Sequence, residues 1–269
     1  MTRHVSRATD SLDNPGWLKL LARTGFGAKG VVYLIIGVAA IGGAGAGPHG
    51  ALGDILRQPF GRVMLGALAL GLLAYAAWRT VQSVLDPERE GNDATSIGKR
   101  IGWFCSGLVY AALAYSAARL ALGGDRSGGS GAEGGTATLL GLPFGRYLVA
   151  IVGIGILLAG VHQARQTLTA GFHDEFALDS MSETERTWAT RAGRVGHAAR
   201  ALLYAIIGGL LLKAAWTRSA DEAGGIGEAL DLLRAQPYGP LMLTLAGAGL
   251  VCYGLYCFVM ARYRKAVRL

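Results

Sequence analysis

Six apolar stretches, near residues 31–46, 63–84, 101–122, 147–168, 198–216 and 241–260, alternate with polar or glycine-rich segments along this chain of 269 residues. None shows the strict alternation of a strand. With its interfacial ends, each reaches the roughly 20 residues that a helix needs to cross a hydrocarbon core of about 30 Å. Backbone in lipid must satisfy its own hydrogen bonds, so the pattern predicts six transmembrane helices and an all-α polytopic membrane protein.

The stretches fall into three similar pairs. Tyr33, Tyr110 and Tyr204 each follow an arginine by ten residues (Arg23, Arg100, Arg194) and a glycine by eight (Gly25, Gly102, Gly196). Each unit then resumes with Pro, aromatic, Gly, at Pro59-Phe60-Gly61, Pro143-Phe144-Gly145 and Pro237-Tyr238-Gly239. A further glycine stands twelve residues past each proline, at Gly71, Gly155 and Gly249. This is one two-helix unit written three times. It divides the chain into a tail (1–19), repeat one (20–86), repeat two (98–170), a connection (171–190), repeat three (191–262) and a second tail (263–269). Because each unit crosses twice, all three start from the same side, as parallel repeats about an axis along the membrane normal. A pseudo-threefold six-helix bundle is the expected arrangement.

Composition agrees with lipid as the solvent: 52% of residues are hydrophobic and only 16% charged, with 42 glycines that allow close helix approach. Eighteen Lys and Arg fall on the side of the two termini and eight on the other, which predicts cytoplasmic termini. The net charge of +8 is therefore first a topology signal. The basic residues are scattered, with no aromatic-interleaved basic face, so no nucleic-acid partner is expected. The first apolar stretch follows about 25 polar and mixed residues and reads as a span, with no cleavable signal. Cys105, Cys252 and Cys257 all lie in spans and read as packing residues, without a disulfide or metal framework.

The segments before each proline carry short apolar patterns, Ala51, Leu52, Ile55 and Leu56 in unit one and Ile226, Ala229, Leu230 and Leu233 in unit three. These predict amphipathic helices lying at the interface. In unit two only Leu139 and Leu140 remain, behind a Gly/Ser-rich segment, 123–135, that reads as a flexible insertion. Each proline is expected to open the following helix, where its missing N–H costs nothing. A capping-box pattern from Ser180 to Glu183 predicts a short surface helix in the longest connection. His173, Asp174 and Glu175 in that connection are consecutive and read as a solvated loop, since a metal needs converging ligands.

None of the six stretches contains Asp or Glu, which disfavours proton- or sodium-coupled transport. Gly25-Phe26-Gly27-Ala28-Lys29-Gly30 matches the dinucleotide fingerprint in letters only, because it leads into a span and follows no strand. No catalytic, cofactor-binding or metal-ligating set stands out, and no cofactor is expected. The candidates for a pathway or ligand contact are Tyr33, Tyr110 and Tyr204, with Lys29, Ser106 and Arg200 one turn earlier on nearly the same face. Arg23, Arg100 and Arg194 are candidates for a basic cytoplasmic vestibule, and their alternative is topological anchoring. His162 breaks an apolar span and is the remaining candidate, against a simple interhelical hydrogen bond. Gly25, Gly102, Gly196, Gly71, Gly155, Gly249, Pro59, Pro143 and Pro237 are read as structural.

The chain resembles the domain-of-unknown-function 1206 family of bacterial membrane proteins, in which a transmembrane helix pair is repeated three times. The resemblance is most specific in unit three: Gly193 through Arg200, Ala229-Leu230, Gln236-Pro237-Tyr238-Gly239, and Gly249-Leu250 through Tyr253-Gly254 to Ala261-Arg262-Tyr263-Arg264. Ala159 departs from the tyrosine seen at Tyr75 and Tyr253, Ala201 from the glycine seen at Gly30 and Gly107, and Pro240 from the arginine seen at Arg62 and Arg146. The resemblance implies residence in a bacterial plasma membrane and this repeat layout, and supplies no activity. The expected role is non-catalytic: binding or passing a small solute, anion or lipid between the hairpins. Its alternatives are a membrane scaffold or accessory subunit organising a membrane complex, with a second copy or another membrane protein as partner, and a membrane-embedded enzyme.

Overall fold

The computed structural model describes residues 16–42, 47–85, 93–124, 131–171 and 181–264. Nine α-helices run through them: α1 (Gly16–Ile41), α2 (Pro48–Leu56), α3 (Gly61–Leu85), α4 (Ala94–Ala121), α5 (Gly131–Leu140), α6 (Gly145–Thr169), α7 (Glu183–Thr217), α8 (Ile226–Arg234) and α9 (Gly239–Tyr263). A 3-10 turn, Ala220–Glu222, precedes α8. Six of them, α1, α3, α4, α6, α7 and α9, are long and apolar enough to cross a membrane. The shortest, at 25 residues, extends about 37 Å, which exceeds the hydrocarbon core. The protein is a multi-pass, all-helical membrane protein.

The tightest packing is not within the sequence hairpins. Each even-numbered span packs most extensively on the first span of another repeat, as α9 on α1, α3 on α4 and α6 on α7. Small residues seven apart build these seams. A Cβ added to Gly37 would lie 2.6 Å from the Gly247 carbonyl oxygen, and one on Gly30 3.0 Å from that of Gly254. Between α6 and α7, a Cβ on Gly208 would meet the Gly153 oxygen at 3.0 Å. Backbones this close gain van der Waals contact that larger side chains would forbid. The heptad spacing keeps both contacts on one side of each helix.

Within the repeats, α1 packs on α3 and α7 on α9, whereas α4 and α6, the two spans of repeat two, form no comparable contact. The spans therefore follow one another as α4, α3, α1, α9, α7, α6, an arc that stays open between its ends. The difference is local to repeat two. A Cβ on Gly25 would press to 2.6 Å from Tyr75 Cα, and one on Gly196 to 2.6 Å from Tyr253 Cα, but nothing lies within 4 Å of the equivalent point on Gly102. Likewise Gly71 receives Ala28 and Gly249 receives Ala199, while Gly155 receives nothing.

The short helices lie on one face of the bundle, α2 touching α8 and α5 resting on the 3-10 turn. Their apolar sides, Leu52, Ile55, Leu230 and Leu233 among them, are buried. α5 begins at Gly131, inside the segment expected to be a flexible insertion. Its packing on α6 and the burial of Thr136 override the weak helical propensity of its glycines. Residues 125–130 of that segment lie outside the described residues.

Two further expectations are corrected. The prolines do not begin the spans. Gln58-Pro59-Phe60-Gly61 forms a turn closed by the Gly61 N–H on the Gln58 carbonyl at 2.9 Å, with Phe60 at φ 60°. That is a type II turn with proline second, where its fixed φ is used and its N–H is not required. The following glycine is needed for a different reason: a Cβ there would stand 2.3 Å from the Ile55 oxygen at Gly61, 2.1 Å from Leu139 at Gly145 and 1.8 Å from Arg234 at Gly239. The expected surface helix is also no separate element. Ser182 caps α7 through a capping box with Glu185, and the helix runs unbroken from there into the fifth span. His173, Asp174, Glu175 and Ser180 lie outside the described residues. The third span has its own cap, Asp93, which accepts from the Thr95 N–H at 3.1 Å. The Ser96 hydroxyl and this backbone N–H hold the Asp93 carboxyl below the usual range.

Candidate functional site

Counting four residues back from Tyr33 and Tyr204 gives Lys29 and Arg200, so helix geometry sets a cation and a phenol on one face of α1 and of α7. The partner spans supply a second tyrosine sixteen residues past each proline, Tyr75 on α3 and Tyr253 on α9. These groups meet inside the bundle. Lys29 is 2% exposed and Arg200 8%. Removing such charges from water costs several kcal/mol unless neighbours replace the lost hydration.

The replacement is phenolic. Lys29 Nζ donates to the Tyr75 hydroxyl at 2.9 Å and stands 4.8, 5.2 and 5.6 Å from the ring centres of Tyr75, Tyr253 and Tyr110. Arg200 donates to the hydroxyls of Tyr253 and Tyr204, and its guanidinium lies 4.3 Å from the Tyr253 ring, 4.8 Å from Tyr204 and 5.6 Å from Tyr33. A desolvated cation over an aromatic face gains up to about 2 kcal/mol. The rings are themselves locked edge to face, Tyr33 on Tyr253 at 4.8 Å and Tyr75 on Tyr110 at 4.6 Å. A third cation joins from α3: Arg79 Nε donates to the Tyr75 hydroxyl at 2.9 Å and Nη1 to Gln82 Oε1 at 3.0 Å.

α6 closes the cluster with Gln163. With its amide turned to satisfy both neighbours, the oxygen accepts from Arg200 Nη1 at 2.7 Å and Nη2 at 3.2 Å, and the nitrogen donates to His197 Nδ1. Arg200 Nε is buried and makes no hydrogen bond among the described residues. Three cations therefore share one aromatic, hydroxyl-lined centre. Among the described residues, the carboxylates carried by the six spans are Glu183 and Glu185, at the start of α7, Glu185 roughly 22 Å along the helix from Arg200. Glu185 is occupied there by the Tyr263 hydroxyl at 2.6 Å.

The structure thus gathers Tyr33, Tyr110 and Tyr204 into one cluster. It does not bring Arg23, Arg100 or Arg194 there. Arg100 donates to the Ser83 oxygen at 2.7 Å and the Val84 oxygen at 3.1 Å, and Arg23 to the Arg262 oxygen at 3.4 Å, so each ties down the last carbonyls of a neighbouring span. Those carbonyls are the negative end of the helix dipole, which explains the preference for a cation. Arg194 is exposed, and its own carbonyl accepts from Thr167 at 3.4 Å. His162 is exposed on α6 beside Gln166, at 3.3 Å. Arg23 and Arg100 thus clamp helix ends, Arg194 stays exposed, and the three arginines are not gathered with the tyrosines.

Lys29, Arg79 and Arg200 count as interfacial anchors when the sequence is read by charge alone. The burial of Lys29 and Arg200 and the half-burial of Arg79 against Tyr75 reverse that reading. The signal was their phase: Lys29 and Arg200 share the face of the repeated tyrosines, and Tyr75 and Tyr253 recur at one register.

Fold and site define a class: a polytopic membrane protein of three two-helix repeats built around a buried cation–tyrosine centre. The chain belongs to the family described as Domain of Unknown Function (DUF1206), which matches residues 24–86, 101–170 and 195–264, one match per repeat. It is similar to the uncharacterized protein YxxB of Bacillus subtilis (strain 168), 34% identical over 254 residues that cover 92% of each chain. No solved structure matches it.

Proposed function

We propose that this protein is a non-catalytic anion-binding protein of the bacterial plasma membrane, with both termini cytoplasmic, that holds a small anionic group at Lys29 and Arg200. The observation that carries this reading is the burial of the Lys29 ammonium and the Arg200 guanidinium in one centre, with no carboxylate paired to either among the described residues. Phenol hydroxyls and ring faces soften the charge but do not neutralise it, and a bound anion would. Ammonium, guanidinium and hydroxyl groups all donate hydrogen bonds, which suits a phosphate, sulfate or carboxylate group. The bias of Lys and Arg toward the side of the termini supports the orientation.

The test is saturable binding of inorganic phosphate or sulfate to the purified protein in detergent, followed by tyrosine fluorescence. Lys29→Gln and Arg200→Gln are each expected to weaken binding by on the order of tenfold, the loss of one charge-assisted contact. Binding unchanged by both substitutions, or liposome flux with a preference for cations, would overturn the proposal. A scaffold role is the second reading, favoured by the uncovered glycines of α4 and α6.

A further inference from the structure

Repeat two is the one in which the hairpin is open, and it is also the one without a cation–tyrosine pair. Ser106 stands where repeats one and three carry Lys29 and Arg200, and Ala159 stands where they carry Tyr75 and Tyr253. In the closed hairpins the tyrosine backbone fills the glycine notch, at 2.6 Å from a Cβ on Gly25 or Gly196. In repeat two, Gly102 and Gly155 face open space, and Cys105, the counterpart of Ala28 and Ala199, is exposed. The two helices that fail to meet are nonetheless the ones that flank the cations. Tyr110 of α4 lies over Lys29 at 5.6 Å, and Gln163 of α6 accepts from Arg200 at 2.7 Å.

The cover over the cations thins toward that opening. Tyr33, Tyr75 and Tyr253 are buried, whereas Tyr110 and Tyr204 are only half-buried. Arg200 Nε, on a side chain more than nine-tenths buried, makes no hydrogen bond among the described residues. Depth matters as well. Lys29 and Arg200 stand at the beginning of the first and fifth apolar stretches and Arg79 near the end of the second, so the cluster lies toward one end of the apolar stretches and not at their centre. That is where a lipid headgroup resides, with its chains extending along the spans.

We infer that the opening between α4 and α6 is a lateral portal through which the acidic headgroup of a membrane lipid reaches Lys29 and Arg200. The inference rests on the anion-binding reading of the cluster and adds the source of the anion and its route. Charge complementarity selects an acidic headgroup over a zwitterionic one. The glycine faces of α4 and α6 give an acyl chain a groove that the closed repeats fill with protein. The departure of Ala159 from the other two tyrosines makes this repeat different in chemistry and in shape together.

The experiment uses the full chain in nanodiscs of phosphatidylcholine with phosphatidylglycerol, transferred to detergent, with retained lipid identified by native mass spectrometry. Inorganic phosphate binding is measured in parallel. The expected result is retention of phosphatidylglycerol over phosphatidylcholine on the order of tenfold, the scale of one charge-assisted contact. It is lost in the double variant Gly102→Leu/Gly155→Leu while phosphate binding persists. Ala159→Tyr, which supplies the residue that closes the other hairpins, is expected to lower retention in the same way and serves if the leucine variant does not fold. Phosphate binding without lipid preference, or lipid retention untouched by Ala159→Tyr, overturns the portal and leaves the anion site standing. Loss of both phosphate and lipid binding in the unmodified protein overturns the two together. A lipid-independent dimer that Ala159→Tyr turns into a monomer would assign the opening to a second copy of the chain and also overturns the portal.

Discussion

The hydroxyl of Tyr75 accepts two cations at once, Lys29 Nζ and Arg79 Nε, each at 2.9 Å. One phenol oxygen thereby joins α1 to α3 in the interior, at the level where a glycine, Gly25, lets the two backbones approach. Tyr75→Phe keeps the ring and removes only that acceptor. Hydrogen bonds to charged groups contribute about 1.5–3 kcal/mol, so the variant is expected to lose stability in that range in detergent unfolding. Ser106 and Ala159, the repeat-two counterparts, should tolerate substitution by Ala and Gly respectively with losses below about 1 kcal/mol.

The glycines that share a register in the three repeats should not share a phenotype. Gly25→Ala and Gly196→Ala drive a Cβ to 2.6 Å from tyrosine Cα atoms and are expected to destabilise by about 1–3 kcal/mol. Gly102→Ala meets nothing within 4 Å and exchanges glycine for a better helix former, a gain of about 0.5–1 kcal/mol. Thermal unfolding of the three purified variants decides this, and equal losses at all three positions would mean that repeat two is closed in solution.

Cys105 supplies a direct probe of the opening. In repeats one and three the residue at its register, Ala28 or Ala199, lies against Gly71 or Gly249, at 2.6 and 2.3 Å from an added Cβ. With Gly155→Cys, oxidation is expected to leave Cys105 unpaired and reactive to maleimide, as read by peptide mass spectrometry. Efficient Cys105–Cys bridging to position 155 would show the hairpin closed.

Burial of Lys29 and Arg200, and half-burial of Arg79 against Tyr75, separates them from the residues that orient the chain in the membrane. Neutralising any one of them should leave the position of both termini unchanged, as read by reporter fusions on either side. Neutralising exposed basic residues at the helix ends, Lys19 and Arg23 together, is expected to weaken the orientation of the first span.

The hydrophobic pattern and the repeated tyrosines, arginines, prolines and glycines carry the count of spans and the triplicated unit, because both follow from periodicity within a single helix. The convergence of Tyr33, Tyr110 and Tyr204 was legible in the same way, as one helical face repeated three times. Whether a lysine or arginine at a span's edge reaches water or turns inward depends on what the neighbouring helix presents. Tyr75 and Tyr253 make that choice for Lys29 and Arg200, while the carbonyl ends of α3 and α9 make the opposite one for Arg100 and Arg23. The turn at Pro59 was not legible because it sets Phe60 at positive φ, and the helical start of α5 because it rests on packing against α6 and burial of Thr136. Sequence by itself determined that six helices cross the bilayer as three copies of one unit. Tertiary structure decided which copies close, because closure is an approach between two helices: Gly25 and Gly196 receive the backbone of Tyr75 and Tyr253, and Gly102, at the same register, receives nothing within 4 Å.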